Sequence, residues 1–253
     1  MKNVVIAGYC RSPFTPAQKG QLAKVRPDDL AAQVIKGLIN DTGVNPADIE
    51  DLILGCAFPE AEQGMNLARL VVHLAGLPIT VPGVTLNRFC GSSMQAIHNA
   101  AGAIQMNAGE VFICAGVESM SRVPMGGYNY LPNPDLYKVY PQAYVGMGET
   151  AENLALQYHI DRLSQDTFAL ASQHKAGNAQ QSGLFANEII PIKRSDGEIV
   201  RYDGCIRADS TLQALTELQA VFVKNGSVTA GTSSPLTDGA SAVLVCSEAY
   251  ADA

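Results

Sequence analysis

Short apolar runs alternate along the chain with longer stretches in which apolar residues recur every three or four positions. Residues 4–7, 52–54, 84–86 and 111–115 are runs of strand length, and helical spacing fills the stretches between them. Such alternation predicts a mostly parallel sheet covered by helices. In RPDDLAAQVIKGLINDTG, Pro27 and two acids open a segment that sets Leu30, Val34 and Leu38 on one face and stops at Gly43. These are helix start and stop signals. NLARLVVHLAGLP repeats the scheme, with Asn66 as cap, Leu67, Leu70, Val71 and Leu74 inward, and Gly76 and Pro78 closing.

The character changes after Gly116. From Met120 to Gly148 the chain is rich in Pro, Gly, Met and Tyr, with Tyr128, Tyr130, Tyr137, Tyr140 and Tyr144 close together. This stretch reads as an excursion over a site, its tyrosines packing the excursion rather than caging a base. ETAENLALQYH and SQDTFALASQHKAGNAQQSG are helical patterns and NEIIPI is strand-like. VTAGTSSPLTDGASAVLVCSE then ends in an apolar run that returns the chain to the first sheet.

A chain of 253 residues, 47% of them hydrophobic, buries a large core as one domain or two. Its 6% aromatic content and lack of Trp suit helices packed closely on a sheet more than a β-sandwich. Lys and Arg number 17 against 24 acids, and the net charge of −7 argues against nucleic acid as a partner. No apolar run reaches the roughly 18 residues of a membrane span. MKNVVIAGYCRSPF reads as a first strand rather than a signal peptide. The six cysteines, at 10, 56, 90, 114, 205 and 246, form no CxxC pair and no Cys/His cluster of ligand spacing, so no metal site is expected. They read as reduced thiols of a cytoplasmic protein.

One of the six stands apart. In LNRFCGSSMQAIHNAAGAI a strand ends near Leu86, Gly91, Ser92 and Ser93 supply turn and cap residues, and Met94, Ile97, Ala101 and Ile104 continue at helical spacing. Cys90 thus falls at a helix amino terminus, where unpaired N–H groups favour an anion. Burial in apolar surroundings would act the other way. Local geometry alone leaves Cys90 as either a small buried hydrophobe or a nucleophile.

LNRFCGSSMQAI resembles the acyl-enzyme signature of the thiolases in its Asn87, the small residues after the cysteine, and the apolar Met94 and Ile97. RSP at 11–13, GCAF at 55–58, QGMNLAR at 63–69, AGVESMSRVPM at 115–125, GMGETAENLA at 146–155 and TAGTSSPLTDGASA at 229–242 also resemble thiolase segments, in family order, over nearly the whole chain. NRFCGSSMQA is most similar to the bacterial degradative 3-ketoacyl-CoA thiolases and acetyl-CoA acetyltransferases. The resemblance implies an α/β, thiolase-like fold, a layered mixed sheet with helices. Its core would be residues 1–117 and 226–253, interrupted by a CoA-covering loop domain of 118–225.

The resemblance further implies that Cys90 attacks the 3-keto carbon of a 3-ketoacyl-CoA, that acetyl-CoA leaves, and that a second CoA collects the acyl group from an acyl-cysteine. The reverse is a Claisen condensation. Coenzyme A and acyl-CoA would be substrates, with no further cofactor. Arg207 in CIRADST matches the family arginine near the CoA nucleotide, Met147 a residue beside the pantetheine, and Ala230 and Ser234 the loop along that arm. Gly146 stands where short-chain biosynthetic members usually carry His, which favours a degradative enzyme with room for longer acyl chains. Basic residues at 193, 194, 201, 207 and 224 are matched by as many acids, so that segment supports phosphate contact only weakly. His73, His98, His159 and His174 match no catalytic motif of the family.

Thiolases complete their site with a second half that supplies an Asn in NEAF, a His in GHP and a second Cys in CxGxG. None of these motifs occurs in the 253 residues. The chain therefore reads as an N-terminal half, with the missing C-terminal half as partner and negligible thiolysis alone. A homodimer in the parent protein, and room for a β-oxidation multienzyme partner, are implied as well. Two other readings stay open: a short-chain biosynthetic acetyl-CoA acetyltransferase, and a non-catalytic acyl-CoA or lipid-binding module. A redox-sensing thiol would need a resolving cysteine near Cys90.

Overall fold

In the computed structural model, which describes residues 2–253, the apolar runs fold into strands. β1 (Val4–Arg11) and the short β2 (Thr15–Pro16) precede α1 (Pro27–Thr42); then come β3 (Asp51–Gly55), α2 (Leu67–Ala75), β4 (Gly83–Leu86), α3 (Ser92–Gln105) and β5 (Val111–Ser119). α4 (Pro134–Val139), α5 (Met147–Gln157) and α6 (Arg162–Gln181) follow, then β6 (Ile192–Lys193), β7 (Ile199–Val200), α7 (Leu212–Thr216), β8 (Thr237–Ser247) and α8 (Glu248–Ala251). Two compact units result. The first holds the chain up to Tyr128 with Ala186–Gly204 and Leu236–Ala253, and the second holds Asn129–Phe185 and Cys205–Pro235.

The main sheet of the first unit has the order β1-β8-β5-β3-β4, with β2 also beside β8. β3, β4 and β5 are parallel, whereas β8 is antiparallel to both β5 and β1. The sheet is mixed rather than mostly parallel because β8 returns in the opposite direction and slots between two strands. Alternation along each strand divides its residues between two cores. Leu52, Leu54, Ile113, Ala115, Leu244 and Cys246 pack with α1 and α2. Ile53, Phe112, Cys114 and Val245 pack with Ala96, Ala100 and Ile104 of α3. Both faces are covered, which is why the strands read as unbroken apolar runs.

α1 follows its sequence signals, with Leu30, Val34 and Leu38 buried and Gly43 closing it in the left-handed region at φ 67°. α2 departs from them. Leu67 and Val71 are buried, but Leu70 and Leu74 are 38% and 41% exposed, and Ala68, Val72 and Ala75 face the core instead. Asn66 holds the cap position, yet its side chain reaches β4: Nδ2 donates to the Gly83 carbonyl at 2.6 Å and Oδ1 accepts from Thr85 Oγ1 at 3.0 Å. NEIIPI makes one bridge, Ile189 to Arg11, and otherwise only Ile192 enters a strand. Residues 186–204 run with the core, and Arg11 accounts for this. Its Nε donates to Glu188 at 2.7 Å, and its two terminal nitrogens grip Asp203 at 2.8 and 2.9 Å, the bidentate geometry that guanidinium favours.

In the second unit, Glu152 of α5 is buried and ties residues 226–235 to the helices rather than to the core. Its carboxylate accepts the N–H groups of Ser227 and Val228 at 2.9 Å and the Ser227 hydroxyl at 3.1 Å. Burial alone would raise its pKa; the hydrogen bonds outweigh burial and hold the carboxyl below the ordinary glutamate value. The second unit therefore keeps this contribution at neutral pH and loses it as pH falls from about 4.3 through the lower folded value. Glu152→Gln is expected to cost about 2 kcal/mol at pH 7 and to flatten the acid limb of the stability curve. Urea unfolding between pH 7 and 3, followed by exchange of the α5 amides, checks both effects. The tyrosines do not pack the excursion tightly: Tyr130, Tyr137 and Tyr140 are exposed, and the rings of Tyr137 and Tyr144 meet at 5.9 Å.

Candidate functional site

The carboxyl ends of the parallel strands β3, β4 and β5 lie on one side of the first unit, the place where open α/β sheets carry their sites. Gly55 and Gly116 pair there across β3 and β5. They share the pleat of Ile53 and Cys114, so both face α3. A Cβ on Gly55 would stand 2.7 Å from the Ser92 carbonyl carbon, and one on Gly116 would collide with Ser93 Oγ. The two glycines admit the first turn of α3 against the sheet.

Between β4 and α3 the chain turns sharply. Phe89 takes a left-handed φ of 46°, rare for a bulky side chain and costing roughly 1–3 kcal/mol. Asn87 Oδ1 accepts the Phe89 N–H at 2.8 Å. Ser92, itself buried, accepts the Arg88 N–H at 2.8 Å and donates to the Phe89 carbonyl at 2.6 Å, so one hydroxyl brackets the turn. Gly91 is the cap of α3, and Cys90 is the residue before it. The helix buries Ser92, Ala96, Ala100 and Ile104, while Met94 is exposed. Small residues win the buried face because the helix lies close to the strands.

Cys90 is exposed, and the ring of its neighbour Phe89 meets Phe58 with centroids 6.0 Å apart and the planes tilted by 55°. The thiols of the sheet and its edge differ. Burial, aided by the charges of Asp41, Glu118 and Asp51 respectively, pushes Cys10, Cys56 and Cys114 up to about 12. Cys246 is raised by burial too. These four stay protonated at neutral pH and serve as packing. Cys205, half-buried, belongs to the second unit.

Met147, Arg207, Ala230 and Ser234 all lie in the second unit, and Cys90 in the first. Met147 opens α5 and is 69% exposed; behind it the Gly148 backbone touches the Phe222 ring so closely that a Cβ has no room. Arg207 is exposed and held by its backbone, its N–H donating to Gln173 Oε1 at 2.7 Å and its carbonyl accepting Ser210 Oγ at 2.7 Å. Ala230 and Ser234 are exposed on one loop. Thr229 organises that loop, its carbonyl accepting Ser233 Oγ at 2.7 Å and its N–H donating to Thr232 Oγ1 at 3.0 Å. His73, His98 and His174 lie on α2, α3 and α6, and His159 follows α5. Among the described residues no group of three or more His, Cys, Asp or Glu is placed to hold a metal, and no helix is long and apolar enough to cross a membrane.

An exposed thiol thus stands on a strand-to-helix elbow, at the carboxyl ends of parallel strands in the helix-covered sheet of an α/β protein. The chain belongs to the thiolase family: the description "Thiolase, N-terminal domain" matches residues 4–249. It is 43% identical over 265 residues to a 3-ketoacyl-CoA thiolase of Bacillus subtilis, covering 100% of this chain and 68% of the relative. A 3-ketoacyl-CoA thiolase of Saccharophagus degradans is 44% identical over 256 residues, covering 99% and 65%. The structure is similar to human mitochondrial 3-ketoacyl-CoA thiolase in complex with CoA, with a TM-score of 0.87, 32% identity and coverage of 99% and 66%. It is also similar to Bacillus anthracis acetyl-CoA acetyltransferase, with a TM-score of 0.87, 38% identity and coverage of 100% and 67%. The chain thus spans about two thirds of the length of these relatives.

Proposed function

We propose that the chain carries the acyl-accepting cysteine of a thiolase that cleaves 3-ketoacyl-CoA with CoA. The observation that carries this reading is the elbow: it leaves Cys90 exposed at the amino end of α3, while four other thiols are buried and kept protonated. The Cys90 sulfur attacks C3 of the substrate, the C2–C3 bond breaks, and its electron pair stays on C2, which takes a proton and departs as acetyl-CoA. The acyl group remains on Cys90 as a thioester until the sulfur of a second CoA displaces it and returns the Cys90 thiol. The unpaired N–H groups at the start of α3 favour the negative charge that gathers there. Coenzyme A enters as a substrate, with Met147, Arg207, Ala230 and Ser234 as its contacts, and this step calls for no separate cofactor.

The groups that move the thiol proton and the C2 proton are assigned to the C-terminal thiolase half, the partner of these residues. A homodimer is supported by β4, an open edge of the sheet with Val84 exposed on it. A cytoplasmic place in fatty acid β-oxidation is part of the same proposal, and the support for it is that 3-ketoacyl-CoA is the compound such a route must cleave. In protein that also holds the C-terminal half, peptide mass mapping after incubation with acetoacetyl-CoA is expected to find an acetyl group on the Cys90 peptide. CoA bound reversibly with no adduct on any cysteine would favour the binding module instead. The likeness to an acetyl-CoA acetyltransferase supports a second reading as a short-chain biosynthetic enzyme. Comparing thiolysis of acetoacetyl-CoA and 3-ketopalmitoyl-CoA separates the two.

A further inference from the structure

Glu118 follows Gly116 by two residues on β5, so the pleat sends its side chain to the α3 side of the sheet. There Oε2 accepts the Ala57 N–H at 2.7 Å and Oε1 accepts the Phe58 N–H at 3.3 Å. Oε1 also takes the side-chain amide of Gln63 at 2.7 Å. Gln63 is fully buried, and its own Oε1 accepts the Ser119 N–H at 2.7 Å, which fixes the direction of that amide. The carboxylate is therefore anchored at the ends of β3 and β5 together.

The Phe58 N–H and the Ala57 carbonyl belong to one peptide group. Its N–H points to Glu118, and its carbonyl accepts Asn87 Nδ2 at 2.9 Å. Asn87 Oδ1 in turn accepts the Phe89 N–H at 2.8 Å. A series of hydrogen bonds thus runs from the carboxylate, through a peptide and a side-chain amide, to the residue before Cys90. Each bond polarises the next, and an anion at one end strengthens the series. The left-handed Phe89 backbone persists only where its neighbours over-determine it.

We infer that Glu118 is a positioning residue for Cys90, holding Phe89 in the turn that aims the thiol while itself touching no substrate. Its effect on acyl transfer rests on the thiolase reading; its effect on the elbow does not. Glu118→Gln keeps the side-chain length but sets an NH2 group against one of the donors that the carboxylate accepts. In the whole chain, residue-resolved hydrogen exchange is expected to quicken at least about tenfold at Phe89, with α1 and β8 amides within about twofold. With the C-terminal half present, acetylation of Cys90 by acetoacetyl-CoA is expected to slow about tenfold or more, while its alkylation by iodoacetamide, which needs only access, stays within about threefold.

Asn87→Ala, at an exposed position, is expected to give the same pattern, and the double replacement no larger effect, because both residues act in one series. Unchanged Phe89 exchange, additive effects in the double variant, or faster exchange throughout the first unit overturns the inference. Unsubstituted protein that takes no acetyl group even with the C-terminal half present counts against the thiolase reading instead, and the exchange pattern of the two variants then decides the role of Glu118 by itself.

Discussion

Replacing Cys90 by alanine is expected to leave no acetyl group anywhere on the chain after incubation with acetoacetyl-CoA. In protein that turns over, it is expected to lower acyl transfer by at least about a thousandfold. No other thiol of the sheet takes its place. Cys10, Cys56 and Cys114 are buried and pushed up to about 12, so at pH 7 roughly one part in a hundred thousand of each is thiolate. The side chain is exposed, and its loss is expected to leave the thermal midpoint unchanged. Peptide mapping after brief iodoacetamide treatment supplies the control, with the Cys90 peptide labelled in the unsubstituted chain and the half-buried Cys205 labelled to the same extent in both proteins. An acetyl group that moves to another cysteine would place the nucleophile elsewhere and dissolve the role given to the elbow.

The second large effect concerns a residue with no chemistry. Gly55→Ala sets a methyl group 2.7 Å from backbone atoms of Ser92 and Ser93, which cannot swing aside. A loss of about 3 kcal/mol is expected, the upper part of the range for overpacking. Gly116→Ala meets the Ser93 hydroxyl, a group that rotates, and about 1 kcal/mol is expected. Urea titrations of the two variants test the order. A Gly55 variant as stable as its Gly116 counterpart would mean that α3 does not rest on the β3 backbone as described. Because α3 carries the elbow, acetylation of Cys90 is expected to fall with stability in the Gly55 variant.

Much of this was legible in the residues, for reasons that differ from element to element. α1 declared itself through Pro27, its acids and Gly43, since all three signals are local to the helix. The strands declared themselves as apolar runs because both faces of the sheet are covered. α2 was misread because periodicity names a stripe but not its width: with two alanines free to face the core, Leu70 and Leu74 turn outward. In α3 the spacing of Met94, Ile97, Ala101 and Ile104 marked the helix but not its face, on which Ala96 and Ala100 join Ile104 in the contact. Direction of β8 is a property of the whole path of the chain, and no local pattern encodes it. At the site, Cys90 and Asn87 stood out through the family signature. Glu118 did not, because two of its partners are backbone groups some sixty residues away, which leave no trace in side-chain identity, and the third, the Gln63 amide, is as distant in sequence.

β8 also dictates when the molecule can become itself. It lies between β1 and β5, yet it comes last in chain order among the strands of this sheet. A ribosome must deliver residues 237–247 before β1 gains its neighbour in this sheet. Until then β1 and one side of β5 present open backbone edges, the condition under which growing chains pair wrongly or aggregate. Contacts this distant in sequence also slow the search for the native state. The early strands therefore wait on the late one, and this sheet closes from its centre only once residue 247 has been made.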